Sequence, residues 1–119
     1  MPRSVYAVVS MLAFLASLLI ATIPAIAQVD RGAIVGTVTD PSGARIANAR
    51  ITITSLETSQ SVHLTTDEEG SYNANLLKIG TYSVLATKQG FGKTVQASVD
   101  VAVNQSVRVD LVLKLGAAS

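Results

Sequence analysis

Cysteine and tryptophan are both missing from this chain of 119 residues, and histidine occurs once, as His63. Without cysteine there is no disulfide framework, no thiol nucleophile and no zinc–thiolate centre. Without tryptophan, and with only three tyrosines and two phenylalanines, the aromatic platforms on which sugar rings stack are scarce. Serine is plentiful, yet no Gly-x-Ser-x-Gly elbow occurs, and nothing assigns His63 to a serine as its base. An excess of one charge is lacking too. Nine Lys and Arg face eight Asp and Glu; Arg3 belongs to the N-terminal segment, and the rest cancel. No basic stripe runs along the chain, which argues against nucleic acid as a partner.

What is present begins with a leader. Arg3 gives a positive start, Val5 to Ala21 is mostly apolar, Pro24 breaks the helix, and Ala25-Ile26-Ala27 supplies a small-x-small cleavage site before Gln28. Residues 1–27 are read as a helical signal peptide, with an uncleaved N-terminal anchor as the alternative. The protein is then exported, to the periplasm, the outer membrane or the outside. Residues 28–119 form one domain, which must hold itself together by core burial alone.

In that domain apolar residues recur with a period of two. Ile34, Gly36 and Val38 share a face. Asp40-Pro41-Ser42-Gly43 is a turn, since Pro41 presets φ and Gly43 tolerates a positive one. Ile51 and Ile53 alternate with Thr52 and Thr54. After the polar hairpin loop Glu57 to Gln60, Val62 and Leu64 return inward with His63 on the other side. Asp67-Glu68-Glu69-Gly70 turns again, and Tyr72 and Ala74 head inward. Leu76 to Gly80 reads as a short apolar cover over one end. Tyr82, Val84 and Ala86 make an inward row, although Leu85 on the opposite face suggests cover on both sides. After Gln89-Gly90-Phe91-Gly92, Val95, Ala97, Val99, Val101 and Val103 alternate with polar residues. Val107, Val109, Leu111 and Leu113 do the same, with Val112 the exception. About seven short strands with turns between them define an all-β fold, a seven-stranded antiparallel Greek-key β-sandwich behind the helical leader.

The residues Gly36-Thr37-Val38-Thr39-Asp40-Pro41-Ser42-Gly43-Ala44, Ala49 to Ile53, Asp67 to Gly70, Tyr72, Leu77, Gly80 to Val84 and Gly90-Phe91 resemble the carboxypeptidase regulatory-like domain. The resemblance covers Gly32 to Leu115 and implies a transthyretin-like (prealbumin-like) sandwich. Such domains stand beside the catalytic domain of some metallocarboxypeptidases, and similar ones form the N-terminal extension of TonB-dependent outer-membrane receptors. In those enzymes the zinc and the catalytic carboxylate belong to the other domain, so the resemblance implies no activity here. The receptors continue into a plug and a barrel. The chain is therefore read either as a stand-alone module or as a piece of a longer protein.

The chemistry-bearing residues have plain structural readings. His63 has only Ser61 and Thr65 as same-face neighbours, neither of them a convergent ligand or base partner. Asp67-Glu68-Glu69 is the densest acidic run; a calcium loop is one reading, and a solvated turn braced by Asp67 is the simpler one. The isopeptide crosslink of some related sandwiches needs a lysine in the first strand, and Gly32 to Val38 has none. Tyr72 and Tyr82 are placed in the core with their hydroxyls reaching a partner or the rim, and Phe91 at the opposite end. No catalytic, metal-binding or cofactor-binding residue is assigned. The expected function is a non-catalytic structural or protein-interaction module at a bacterial cell envelope, with an envelope protein as partner and open sheet edges as the means of contact. A carbohydrate-binding module with a starch-binding-like fold, or an accessory domain of a separately encoded carboxypeptidase, is the alternative.

Overall fold

The computed structural model describes residues 3–18 and 30–116. Helix α1 (Arg3–Leu18) carries apolar side chains exposed around its circumference, among them Val5, Tyr6, Val9, Leu12 and Leu15. No helix among the described residues is long and apolar enough to cross a membrane. Pro24 and the Ala25-Ile26-Ala27 cleavage site lie outside the described residues.

Eight strands follow: β1 (Arg31–Thr39), β2 (Arg50–Ser55), β3 (Ser61–Thr65), β4 (Ser71–Lys78), β5 (Gly80–Thr87), β6 (Thr94–Val101), β7 (Ser106–Arg108) and β8 (Leu111–Val112). They build two sheets, β3-β2-β5-β6 and β4-β1-β7 with β8 also on β1. The sandwich expected from the alternation is what forms. β1 is its spine: every second residue from Gly32 to Val38 is buried, because both neighbours and the facing sheet cover it. Ile34, Val38, Ile51, Ile53, Val84 and Leu113 are the large, fully enclosed side chains.

Three details depart from the sequence reading. β1 pairs antiparallel with β4, but its contacts with β7 and β8 are parallel. The last expected strand is also broken in two, because Asp110 Oδ1 accepts the Thr37 N–H at 2.9 Å where a strand carbonyl would otherwise stand. At that break Gly36 is pressed against the chain: a Cβ there would lie 1.8 Å from the Val109 carbonyl oxygen, so only glycine lets the two backbones meet.

The second departure is in β6. Tyr82 faces Val99 but Val84 faces Gln96, so Ala97 and Ser98 together oppose Ser83. This β-bulge, with Ser98 at φ 58°, reverses the inward face within one strand. Val99 and Val101 are buried, whereas Val95 points outward beside Leu85 and is 58% exposed. Ala97 and Val103, also expected inside, are exposed. Leu85 stands between its cross-strand partners Thr52 and Val95 and is half-buried, and no third sheet lies over it among the described residues. The third departure is the supposed cover. Leu76 and Ile79 are exposed and only Leu77 is buried, since β4 and β5 are separated by the single residue Ile79.

The turns form as their residues dictate. Gly43, Gly70, Gly80 and Gly90 all take positive φ. Asp40 Oδ1 accepts the Ser42 and Ala44 N–H groups and the Ser42 hydroxyl, which together hold its carboxyl below the usual range. Asp67 Oδ1 braces the next acidic turn in the same way, through the Glu69 and Ser71 N–H groups.

Candidate contact groove

At the end of the sandwich where β1 begins, the two edge strands β3 and β4 leave a groove of about 230 Å³. Its apolar lining comes from Val62 on β3, Leu76 and Leu77 on β4, and Ile79 in the corner before β5, with Tyr82 also lining it. Val62 was expected in the core. It faces the inner side opposite Ile53, but β3 is an edge strand, so the residue is 45% exposed. Leu64, paired with Ile51, is half-buried for the same reason.

Leu76 is placed by a second bulge. Gly32 faces Leu77 and Ile34 faces Ala74, so Asn75 and Leu76 share the single partner Ala33. Leu76 takes φ 57° and stands 72% exposed at the groove's rim. A left-handed leucine costs about 1–2 kcal/mol, so the bulge spends stability to push an apolar side chain into solvent. The charged lining is Arg31, Lys78 and Glu57. The Glu57 carboxylate lies against Gly80, where a Cβ would meet its Oε1 at 3.2 Å. Tyr82 donates its hydroxyl to the Lys78 carbonyl at 2.7 Å. Burial is the main cause of its raised pKa; Glu57 adds to the rise and Arg31 opposes it.

The other residues singled out by sequence do not converge. His63 lies on the outer face, its Nδ1 3.2 Å from the Thr52 hydroxyl across the strand pair. Tyr72 is 4% exposed and donates to the Val109 carbonyl. Burial raises its pKa far above the ordinary value, the Asp110 charge adds to this and Arg108 opposes it. Phe91 is half-buried against the core at the far end, as expected. Among the described residues no group of three or more His, Cys, Asp or Glu is placed to hold a metal ion. Sequence reasoning missed Leu76, for which only the odd pair Leu76-Leu77 in an alternating strand was a signal. It also missed Thr66, the buried polar residue that ties the β1–β2 loop to the core. Its hydroxyl donates to the Ile46 carbonyl at 2.7 Å and accepts the Ala49 N–H at 2.9 Å.

The sandwich and its turns are those of a small, transthyretin-like β-sandwich module. Residues 33–114 match the family described as carboxypeptidase regulatory-like domain, and the chain belongs to that family. Comparison with curated proteins finds no match. Several solved structures share the fold. A candidate carbohydrate binding protein of Bacteroides uniformis aligns with a TM-score of 0.57 and 17% identity, over 69% of this chain and 40% of that one. The major pilin subunit BcpA of Bacillus cereus aligns with a TM-score of 0.56 and 20% identity, over 73% and 31%. Catechol 1,2-dioxygenase of Acinetobacter radioresistens aligns with a TM-score of 0.61 and 12% identity, over 76% and 54%. The chain thus spans about half or less of the length of these proteins, and at such identities the likeness is one of fold.

Proposed function

We propose that this protein is an exported, non-catalytic contact module of a bacterial envelope, working in the periplasm or at the outer membrane in the manner of a receptor's N-terminal extension. The observation that carries this is the groove between β3 and β4, rimmed by exposed Val62, Leu76 and Ile79, with Leu76 held outward at a cost in backbone strain. Proteins leave such apolar rims where a partner covers them. The occupant is an extended segment of an envelope protein that adds to a sheet edge. It places an apolar side chain in the groove and a carboxylate towards Arg31 and Lys78. Helix α1, apolar on all sides, supports export, because a helix of that kind does not belong on the surface of a soluble domain.

Other readings have less to stand on. Sugar stacking on Tyr72 or Tyr82 needs exposed rings, and both are buried. Likeness to a dioxygenase concerns the fold alone. An accessory role for a separate carboxypeptidase would show as a change in that enzyme's rate or stability when the protein is added.

The test is fractionation of cells expressing the full chain, with crosslinking from position 76. Recovery with the envelope, and one crosslinked partner lost in Leu76→Asp and in Val62→Asp while the fold persists, supports the proposal. A cytoplasmic distribution, or a crosslink indifferent to both substitutions, overturns it.

A further inference from the structure

An open sheet edge invites another strand, and most edges of this sandwich are guarded against one. β4 carries the bulge at Leu76 and the cation Lys78, and β6 carries the bulge at Ser98 and the carboxylate of Asp100. On the far side of β1, β7 and β8 are only three and two residues long. β3 has none of these devices. It is the outermost strand of its sheet, and Ser61-Val62-His63-Leu64-Thr65 contains no Lys, Arg, Asp, Glu or Pro. Its register with β2 runs without a shift from Thr54–Ser61 to Arg50–Thr65. The Gln60 carbonyl accepts the Ser55 N–H at 2.8 Å, and the Thr66 N–H donates to the Ala49 carbonyl at 2.9 Å. Even-numbered residues thus turn their backbone groups towards β2. The N–H and C=O groups of Ser61, His63 and Thr65 point outward.

We propose that β3 pairs with the β3 of a second copy of this chain, antiparallel, about a two-fold axis at His63. The strand reads hydroxyl, aliphatic, histidine, aliphatic, hydroxyl from either end. An antiparallel neighbour is read in reverse, so β3 is its own complement. In this register His63 faces the partner's His63, Ser61 faces the partner's Thr65, and Thr65 faces the partner's Ser61. Each of these pairs exchanges two backbone hydrogen bonds through the groups that point outward. Val62 faces the partner's Leu64 in the closer kind of pair, with Cα atoms about 4.5 Å apart. Both side chains lie on the inner side, where Val62 is 45% exposed and Leu64 is half-buried, and each gains the neighbour that an edge position lacks. No charge within β3 meets a like charge across the junction. A two-fold at Val62 or Leu64 would instead set loop residues opposite part of the strand. The two four-stranded sheets become one. A junction five residues long is small, so the dimer dissociates on dilution. The contact uses neither Leu76 nor Ile79 and does not depend on the groove.

Because the chain has no cysteine, an introduced thiol reports one position only. Full-length His63→Cys is treated with a short bismaleimide over a dilution series, beside Thr52→Cys. Facing residues of a hydrogen-bonded pair lie about 5.5 Å apart. Thr52, one strand further in on the same face, lies three strand spacings, or about 14 Å, from its counterpart. The expected result is a covalent dimer of His63→Cys that falls away on dilution. It should form about tenfold or more faster than that of Thr52→Cys, once both are scaled to their reaction with N-ethylmaleimide. Ser61→Cys and Thr65→Cys should each crosslink slowly alone and readily when mixed, since position 61 faces position 65. His63→Cys/Leu76→Asp, which alters the groove, should crosslink as His63→Cys does, so that loss of a groove partner and loss of this pairing are told apart. Circular dichroism should be unchanged in every variant. Equal crosslinking from positions 52 and 63, as association through α1 would give, overturns the proposal. So does absence of a dimer at every concentration, no gain on mixing the Ser61 and Thr65 variants, or a crosslink abolished by Leu76→Asp.

Discussion

Three residues show how single side chains set the stability of this domain. Tyr82 is 7% exposed with its hydroxyl tied to Lys78. Tyr82→Ala leaves a ring-sized cavity and should cost about 3–5 kcal/mol, enough to unfold much of so small a domain; urea denaturation measures it. Thr66→Val removes the hydroxyl that satisfies Ile46 and Ala49, and should cost about 1–3 kcal/mol by the same measurement. Asp110 titrates. Burial pushes its pKa up, but the Thr37 N–H, Arg108 and the Thr37 hydroxyl outweigh that and hold it below the ordinary 3.8. Because the folded value is the lower one, its contribution is present above that ordinary value and is lost as pH falls through the folded one. Asp110→Asn should therefore cost no more than about 0.5–1 kcal/mol near neutrality, since solvent screens a half-exposed carboxylate, and should flatten the acid limb of a stability-against-pH curve below pH 3.8.

Among the elements, the inward faces of β1, β2 and β5 were legible, although the parallel neighbours of β1 and the uncovered outer face of Leu85 were not. Their inward rows alternate without a break, and strands covered on both sides must keep register. The edge strands were not. Alternation in Val62 and Leu64 signals which way a side chain points, but not whether a second sheet lies opposite. A bulge is invisible to a period of two, so Val95 and Val99 looked equivalent although Ser98 turns them to opposite faces. This gives a sharp check. Val99→Thr should cost about 1–3 kcal/mol by burying a hydroxyl, while Val95→Thr should change stability by about 0.5 kcal/mol or less; thermal melts of the pair suffice. The groove was legible only as an oddity at Leu76-Leu77.

For the whole molecule, the family resemblance and the sandwich agreed because turn glycines, inward rows and buried tyrosines are spread along the entire domain. Its first and last strands are neighbours, so the fold closes only when both are in place. Leu111 and Leu113 are buried at 3% and 0% exposure. A chain truncated after Asp110 loses both, at about 2–5 kcal/mol each, and should show no cooperative melt.

The parallel pairing of β1 with β7 and β8 has a mechanical consequence. Polypeptide enters β1 at one end of the sandwich and leaves β8 at the other. Tension between residues 30 and 116 therefore drags adjoining strands lengthwise past each other, straining their cross-links together instead of peeling them singly. A module so wired can sit in series between an anchored neighbour and a tugging one and stay intact.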